Sequence, residues 1–365
     1  MKYIRPVAVP ILIGLAAVAV SPVAADDPSV AIAGRLHLDA AVYDEDVTPF
    51  DNGVLVRRAR FGAAGDLVDG WSYKLEWDFA EDGVAARDIY VSYRGLGPGQ
   101  VRVGQFKVPF GLNELTSSNH ITFIERSLGT EAFADAFRLG ASYEHFADAF
   151  GYQAMVYSRR TGTDSVGDAP LGVAGRAVVN PLAGDDNLLH FGVSAAWEST
   201  DDADQVRFRT RPEVRAGGAP RLVDTGVIGN ADSTLKMGLE VAWLSGPLSV
   251  EGEYMRTDVS RGGGAPNVDF DAWHVQGSYV LGGARGYRGG QFRGVTPGAT
   301  EIALRVSRID LDDGPIAGGE QNNVTLALNY YASPNVRFMA NVVRIDQEDT
   351  GETPWAFALR GQMNF

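Results

Sequence analysis

The sequence predicts an all-β protein, a sixteen-stranded antiparallel β-barrel that spans a membrane. Three observations support this prediction. Side chains alternate between apolar and polar, short and long connections alternate along the chain, and the strand-like segments are about ten residues long. In WSYKLEWDF, residues 71–79, every odd position is apolar and every even position is polar. WAFALRGQMNF, residues 355–365, repeats the pattern. Successive side chains of a strand point to opposite faces, so each strand has one apolar and one polar face.

The first 25 residues are predicted to be a secretory signal peptide. Lys2 and Arg5 give a positive start, VAVPILIGLAAVAV is an apolar run, and SPVAADD ends it with small residues. Cleavage after Ala25 places Val23 and Ala25 at the positions that a signal peptidase reads. A membrane anchor is the alternative, but the apolar run is short and ends in small and acidic residues. The barrel domain is then expected over residues 26–365.

Sixteen alternating segments follow along the chain. They centre on 30–43, 54–67, 71–79, 86–94, 100–107, 137–145, 150–158, 172–180, 188–199, 234–245, 248–258, 270–281, 300–309, 322–332, 335–346 and 355–365. Between them, short turns such as VDG, GLGPG, LAGDDN, SGP and ASPN alternate with long polar connections at 44–53, 107–136, 200–233 and 310–321. This alternation is typical of a bacterial outer-membrane barrel. The connection 282–299 is the exception, because it is long on the short-turn side.

A soluble β-sandwich or jelly roll is the alternative fold, since it shows the same alternation with its apolar face inward. Three details favour the membrane: strand length, aromatic residues at strand ends, and Phe365 on the apolar face of the last segment. A polar face that mixes Arg, Lys, Glu and Asp also suits a water-filled interior. The barrel is therefore the prediction.

Composition excludes several function classes. The chain carries 46 acidic and 32 basic residues, a balance that argues against nucleic acid as partner. Cysteine is absent, so disulfides, thiolate metal sites and a cysteine nucleophile are excluded. The five histidines, at 37, 120, 145, 190 and 274, stand outside any GxSxG or HExxH context. DLDDG at 310–314 lacks the bidentate Glu of a calcium loop and is expected to be a solvated external loop. We expect neither enzyme activity nor a cofactor or metal.

The segment GQFKVPFGLNELTSSNHITFIERSL, residues 104–128, resembles the third-loop segment of the phosphate-selective porin O and P family. Four further segments agree in order: RRARFGAAGDL at 57–67, RPEVRAGGAPRLVDTGVI at 211–228, GYRGGQFRGVTPG at 286–298 and NYYASPNVRFMANVVRID at 329–346. The resemblance implies a homotrimeric channel of sixteen strands per chain in the bacterial outer membrane, surrounded by lipid. It also implies that the loop after strand five folds inward as a constriction loop, and that the long 282–299 connection belongs to the family.

Arginine is the residue expected to guide anions, because its guanidinium binds two oxygens at once and stays charged. The candidate residues of the constriction are Arg58, Arg60, Lys107, Ser117, Ser118 and Arg126. Further arginines fall on polar faces: Arg35, Arg94, Arg102, Arg138, Arg176, Arg305 and Arg360. The alternative is that these wall arginines are paired with carboxylates, namely Asp39, Glu76, Asp88, Glu144, Glu198 or Glu240.

RFRTRPEVR, residues 207–215, places arginines at every second position of a long loop. If 207–211 is extended, Arg207, Arg209 and Arg211 lie on one edge about 6.5–7 Å apart, with Arg215 close behind. The run resembles the arginine ladder of phosphate-selective members, which would pass an anion from one guanidinium to the next. The alternative is a solvated loop in which these arginines neutralise the aspartates at 201, 202 and 204.

The expected function is passive transport of small hydrophilic solutes, with a preference for anions such as phosphate or pyrophosphate. One departure from the family bears on selectivity. Between Gly111 and Glu125 the chain has no Lys or Arg, and neutral residues such as Leu115 and Asn119 occupy places where phosphate-selective members carry lysines. A weakly selective or cation-preferring diffusion porin is therefore one alternative, and a structural or adhesive barrel with a plugged interior is another.

Overall fold

The computed structural model describes residues 27–80, 83–163, 165–184 and 187–365, so the predicted signal peptide lies outside the described residues. Sixteen strands form one closed antiparallel barrel, which confirms the predicted fold class. The barrel strands are β1 (Ala31–Asp44), β2 (Gly53–Asp66), β3 (Trp71–Asp78), β4 (Ala85–Tyr93), β5 (Gln100–Lys107), β6 (Phe137–Phe146), β7 (Phe150–Tyr157), β8 (Gly172–Ala183), β9 (Asn187–Ser199), β14 (Ala231–Ser245), β15 (Leu248–Arg261), β16 (Val268–Leu281), β19 (Thr300–Asp313), β20 (Ile316–Tyr330), β21 (Val336–Gln347) and β22 (Trp355–Asn364).

Six short strands lie outside the barrel and form three two-stranded ribbons. They are β10 (Gln205–Val206) with β13 (Ile228–Gly229), β11 (Arg209–Thr210) with β12 (Val223–Asp224), and β17 (Arg285–Arg288) with β18 (Gln291–Val295). Within the described residues the chain also forms two short helices, α1 (Leu112–Leu115) and α2 (Leu128–Phe133), and a 3₁₀ turn at Ala216–Gly218. No helix within the described ranges has the length and apolar character needed to cross a membrane.

The barrel closes where the first strand meets the last. β1 pairs with β22 in antiparallel register, from Arg35 opposite Asn364 to Asp44 opposite Trp355. Gly34 and Phe365 exchange two backbone hydrogen bonds, of 3.0 and 3.1 Å, at the end of this pairing. Closure leaves no strand edge unpaired, which a β-structure in lipid requires.

The apolar faces of the strands point outward. In β14, Leu239 is 58% exposed, whereas its neighbour Glu240 is 4% exposed and Lys236 is 7% exposed. The terminal strand behaves alike, with Leu359 60% exposed beside the buried Arg360. A soluble sandwich would show the reverse arrangement, so this orientation excludes it.

The prediction of a long polar connection at 310–321 is wrong. β19 continues to Asp313 and β20 begins at Ile316, so the two strands meet in a tight turn in which Gly314 has φ of +53°. Asp310 and Asp313 accordingly lie at the end of a strand and are half-exposed, while Asp312 of the same strand is exposed. The acidic and glycine residues suggested a loop, but they belong to the paired ends of β19 and β20 and to the tight turn between these strands.

Residues 108–136, which we call the inner segment, lie inside the barrel. The segment leaves the wall between β5 and β6, yet side chains of the opposite wall hold its backbone. The hydrogen bonds are Arg360 to Ile124 O at 2.5 Å, Arg337 to Ile121 O at 2.8 Å, Asn329 to Thr122 O at 2.8 Å, and Leu112 N to Glu253 at 2.5 Å. A segment bonded to inward-facing groups of β15, β20, β21 and β22 crosses the interior.

The long connection at 282–299 also folds inward, as the ribbon of β17 and β18, which we call the inner hairpin (residues 285–295). Arg285 donates to Glu301 of the wall at 2.5 Å and to His120 O of the inner segment at 2.7 Å. Tyr287 Oη lies 2.7 Å from His190 Nδ1 of β9. The inner hairpin therefore enters from the short-turn end and contacts both the wall and the inner segment.

Candidate solute passage

A cavity of about 660 Å³ lies between the inner segment and the wall formed by β1 to β7. The inner hairpin contributes Gly289, Gln291 and Arg293 to its lining, and the 200–230 connection contributes Arg215. On another side of the interior, an apolar cluster forms where Phe133 of the inner segment packs edge-on against Phe208, and Phe208 packs against Phe270 of β16. The open space in the barrel thus runs along one side of the wall.

The cavity lining reverses the charge of the chain. The whole chain has a formal net charge of −14, but the described residues of the lining include eleven cationic and six anionic side chains. The cations are Arg35, Arg57, Arg58, Arg60, Lys74, Arg87, Arg102, Lys107, Arg126, Arg215 and Arg293, and the anions are Glu76, Asp88, Glu114, Glu125, Glu131 and Glu144. Cations in excess within a confined space attract anions from bulk water.

A β-bulge in β2 places a third arginine beside the two that alternation predicts. His37 pairs with Arg58 and Leu38 pairs with Val56, so Arg57 is an extra residue opposite β1. Arg57, Arg58 and Arg60 all line the cavity. Strict alternation assigns Arg57 to the lipid face, which is why the sequence analysis missed it.

The carboxylate of Glu125 lies among four guanidinium groups. Arg57 binds it in a bidentate manner at 2.6 and 3.0 Å, and Arg360 donates to it at 3.0 Å. Nitrogens of Arg58 and Arg215 lie 3.9 and 3.8 Å away. Burial alone would raise the pKa of Glu125, but the positive charges of Arg57, Arg58 and Arg360 hold that pKa well below its usual range. Arg360 also pairs with Asp39, and Arg215 with Glu131. Four guanidinium groups thus share three carboxylates, so the cluster keeps a positive excess.

Lys107 and Arg126 share a single carboxylate. Each lies 3.0 Å from Glu114, and Arg126 also donates to the backbone oxygens of Asn113 and Thr116 at 2.9 Å. Both cations line the cavity while bracing the first turn of the inner segment. The structure therefore places these two predicted residues together.

Ser117 and Ser118 face the wall through Arg35. The Arg35 guanidinium donates to Ser118 Oγ at 2.9 Å and to Ser117 Oγ at 3.3 Å, and it also binds Glu76 at 3.0 Å. All three donors line the cavity. A guanidinium beside two hydroxyl groups offers an oxyanion several hydrogen-bond donors at one place.

The arginine run 207–215 divides into two parts. Arg207 binds Asp224 at 2.5 Å and Arg209 lies 3.9 Å from the same carboxylate. Arg211 donates to Ala219 O at 3.0 Å, while Arg215 binds Glu131 of the inner segment at 2.9 Å. Of the four, Arg215 lines the cavity and the others lie in the loop beyond it.

The alternative prediction, that these arginines neutralise the aspartates at 201, 202 and 204, is wrong. The partner is Asp224, which the antiparallel pairing of β11 with β12 brings opposite Arg209. Asp201 instead accepts backbone hydrogen bonds from Val166 and Ala203. Only Arg209–Thr210 is extended as a strand, so the run does not form one straight edge.

Most wall arginines are paired, as the alternative in the sequence analysis proposed. The pairs are Arg35 with Glu76, Arg102 with Glu144, Arg138 with Glu198, Arg176 with Glu240 and Arg360 with Asp39, at 2.5–3.7 Å. Asp88 pairs with Lys74 at 2.5 Å, and Arg305 with Glu213 at 2.7 Å. Arg94 donates to Gln100 at 3.1 Å. Arg60 of β2 likewise pairs with Asp78 at 2.9 Å and with Glu76 at 3.1 Å. Counted by element, the positive excess of the described lining comes from β1, β2, β5, Arg215 and Arg293, whereas the inner segment contributes more acidic than basic side chains.

Arg293 and His120 also line the cavity, although the sequence did not predict this position for them. Arg293 reaches the cavity because the inner hairpin folds inward, for which the local sequence gives no signal beyond its length. Burial lowers the pKa of His120 to about 4, and the positive charges of Arg337 and Arg293 act in the same direction. The imidazole of His120 is thus neutral at pH 7 and adds no charge to the lining.

Comparison with known proteins agrees with this geometry. The sequence profile of the family described as phosphate-selective porin O and P matches residues 30–365. Porin O of Pseudomonas aeruginosa is 28% identical over 359 residues, covering 86% of this chain and 82% of that protein. An uncharacterised protein of Caulobacter vibrioides is 30% identical over 352 residues, covering 90% of this chain and 70% of that protein.

Solved structures with the same fold include outer-membrane proteins. The trimer form of OmpT from Vibrio cholerae superposes with a TM-score of 0.63 at 13% identity, covering 93% of this chain and 100% of that one. The anion-selective porin from Comamonas acidovorans gives a TM-score of 0.61 at 15% identity with the same coverage. The chain therefore belongs to the phosphate-selective porin O and P family, and it is a passive channel of the bacterial outer membrane, not an enzyme.

Proposed function

We propose that this channel prefers small anions, with phosphate or pyrophosphate as the solute class. The observation that carries the proposal is the excess of cationic over anionic side chains around the cavity of an otherwise acidic protein. A positive potential in a narrow aqueous space raises the local anion concentration and lowers that of cations. Phosphate is the named solute because paired guanidinium and hydroxyl donors match its oxygens.

We propose that the arginines of the 200–230 connection guide anions from the outer loop towards the cavity. Burial, together with the neighbouring charges of Arg211 and Arg209, lowers the pKa of Arg221. Burial, together with Arg215 and Arg57, likewise lowers the pKa of Arg211. Arginines that destabilise one another's charge lie close together, so this group extends from the loop to Arg57 at the cavity. Anions would be attracted at each step without being trapped, which conduction requires.

The descriptions of related proteins also support a preference for anions. The family is described as phosphate-selective, and one structural neighbour is described as anion-selective. The absence of Lys and Arg between Gly111 and Glu125 is balanced here by the arginines of β2, the inner hairpin and the 200–230 connection. We propose that the inner segment sets the narrowest cross-section, because it crosses the interior and lines the cavity.

We also propose that the chain assembles as a homotrimer in the membrane, after removal of residues 1–25. OmpT of Vibrio cholerae, a neighbour in fold, is described in a trimer form. The apolar outer face is available both to lipid and to neighbouring copies of the chain.

The test of solute class is a titration of phosphate against chloride current through single channels in planar bilayers. An oxyanion channel loses chloride conductance as phosphate rises through the millimolar range, because phosphate occupies the guanidinium groups of the cavity. Sulfate at equal ionic strength serves as the control for divalent charge. A chloride current that phosphate leaves unchanged would contradict phosphate as the solute. A barrel that conducts no ions at all would be plugged.

A further inference from the structure

Two glutamates and a histidine meet on the inner wall behind the inner segment, away from the cavity. Glu251 and Glu253 share the inward face of β15, and His274 of β16 lies opposite Glu253 in the strand register. His274 Nε2 is 3.2 Å from Glu251 Oε1 and 3.8 Å from Glu253 Oε2. One ligand atom from each residue lies within 4.8 Å of the other two, and all three side chains are buried.

The two glutamates differ from the other buried carboxylates of the barrel wall. Among the described barrel strands, the remaining buried carboxylates are Asp39, Glu76, Asp78, Glu240 and Glu301, and each has an arginine nitrogen within 4.0 Å. Within the same strands, the ion-pair partner of Glu251 and of Glu253 is His274 alone. Two adjacent buried carboxylates with no arginine or lysine beside them are costly to keep ionised, and a bound metal cation would offset that cost.

A second observation points to a ligand at the same place. Gln276, also buried, donates from Nε2 to Glu251 Oε2 at 2.8 Å, and its Oε1 has no hydrogen-bond partner. Glu251 and Gln276 line a separate cavity of about 10 Å³. This volume is about that of one water-sized probe, so there is room for one small ligand beside an unpaired oxygen.

We propose that Glu251, Glu253 and His274 form a binding site for a divalent transition-metal ion, for which Zn²⁺ is the ion that best fits. One imidazole nitrogen with two carboxylate oxygens is a ligand set that Zn²⁺ accepts and that Mg²⁺ and Ca²⁺ do not favour. Ligands bound tetrahedrally at 2.0–2.1 Å lie about 3.3 Å apart, close to the distances that separate His274 Nε2 from the two carboxylates. Of the three proposed ligands, Glu251 lines the adjacent cavity, together with Gln276.

The site would brace the start of the inner segment. Glu253 accepts the backbone N–H groups of Leu112 at 2.5 Å and Asn113 at 3.2 Å. Glu251 accepts the Asn113 side-chain amide at 3.0 Å. A metal held by the same carboxylates fixes their orientation, and thereby the position at which the inner segment turns across the interior.

The test is Zn²⁺ binding to the full-length barrel, purified in detergent and stripped with chelator. We expect one tightly bound Zn²⁺ per chain by calorimetry, little competition from Mg²⁺, and an X-ray absorption spectrum of one imidazole nitrogen plus oxygens near 2.0–2.1 Å. His274→Gln and Glu251→Gln should each weaken binding by about 100-fold or more, the upper end of what second-shell changes alone cause.

The matched control is His190→Gln, which changes another buried wall histidine that contacts Glu240, a carboxylate already paired with Arg176. This variant should bind Zn²⁺ like the unmodified chain. A change of gel mobility on heating verifies that each variant is folded. The X-ray absorption spectrum is recorded on the unmodified chain, so that test does not depend on the folding of any variant. The proposal is overturned if the unmodified chain shows no saturable Zn²⁺ binding, if the spectrum lacks imidazole, or if His274→Gln binds Zn²⁺ equally well through surface histidines such as His145.

Discussion

At the scale of single residues, Glu125 and the four arginines around it decide the charge of the cavity. The bidentate contact of Arg57 with Glu125 has the geometry by which a guanidinium binds any small oxyanion. The side chain of Glu125 thus occupies one position in a cluster with more positive than negative charge. Changes to this cluster should alter selectivity more than changes to arginines elsewhere.

Replacing Arg57 with Gln should lower the ratio of anion to cation permeability about 5-fold, because one unit charge about 4 Å away in a water-like dielectric is worth about 1 kcal/mol. Zero-current potentials in a KCl gradient measure this ratio. Glu125→Gln removes the opposite charge at the same place and should raise it.

The matched control for Arg57 is Arg308→Gln. Arg308 binds Glu320 at 2.5 Å and does not line the cavity. Its replacement should leave selectivity unchanged. Equal effects of the two arginine changes would mean that overall charge, and not the cavity cluster, controls permeation.

His120 gives a prediction in pH. Because burial and nearby arginines lower its pKa from the usual value near 6.5 to about 4, the imidazole stays neutral as pH falls from 8 to 5 and becomes charged only near pH 4. Between pH 8 and 5 the unmodified channel and His120→Gln should therefore show the same anion selectivity. Below pH 5 anion selectivity should rise more in the unmodified channel than in His120→Gln. The variant keeps every carboxylate that titrates in this range, so the difference reports on His120. A difference between the two centred near pH 6.5 would contradict the buried position of His120.

At the scale of elements, strand positions could be predicted, whereas the folding of the connections could not. The apolar alternation of β3, β14 and β22 is imposed by lipid on one side and water on the other, so it is visible in the sequence. The bulge that adds Arg57 to the lining is a local change of register that alternation cannot reveal. The inward course of the inner hairpin depends on distant contacts, such as Tyr287 with His190, which no local pattern records.

Shortening the inner hairpin tests whether it narrows the passage. Replacing 285–295 by a two-residue turn removes Arg293, Gln291 and Gly289 from the lining, so single-channel conductance should rise while anion selectivity falls. The control is a similar shortening of 262–267, a connection at the opposite end that contributes nothing to the cavity lining. Conductance that stays the same in the hairpin variant would show that the narrowest cross-section lies elsewhere.

At the scale of the whole molecule, net charge and channel charge have opposite signs. A chain with formal charge −14 surrounds a cavity in which cations outnumber anions, because pairing along the wall and the inward-folded segments distribute the charges unevenly. Net charge alone would have favoured a cation-preferring pore.

The assembly proposed for the molecule is a homotrimer. Purified in mild detergent, the protein should sediment as three chains after correction for bound detergent, and boiling should convert it to single chains on a gel. A particle of one chain that still conducts ions in bilayers would contradict the trimer while leaving the channel function intact.

The most direct test of the central claim is the sign of the zero-current potential of the unmodified channel in a KCl gradient across a planar bilayer. We predict the sign of an anion-selective channel, with selectivity that weakens as salt rises and screens the arginines of the cavity. The sign of a cation-selective channel would contradict the account, because it would mean that the acidic excess of the chain, and not the cationic lining, governs permeation.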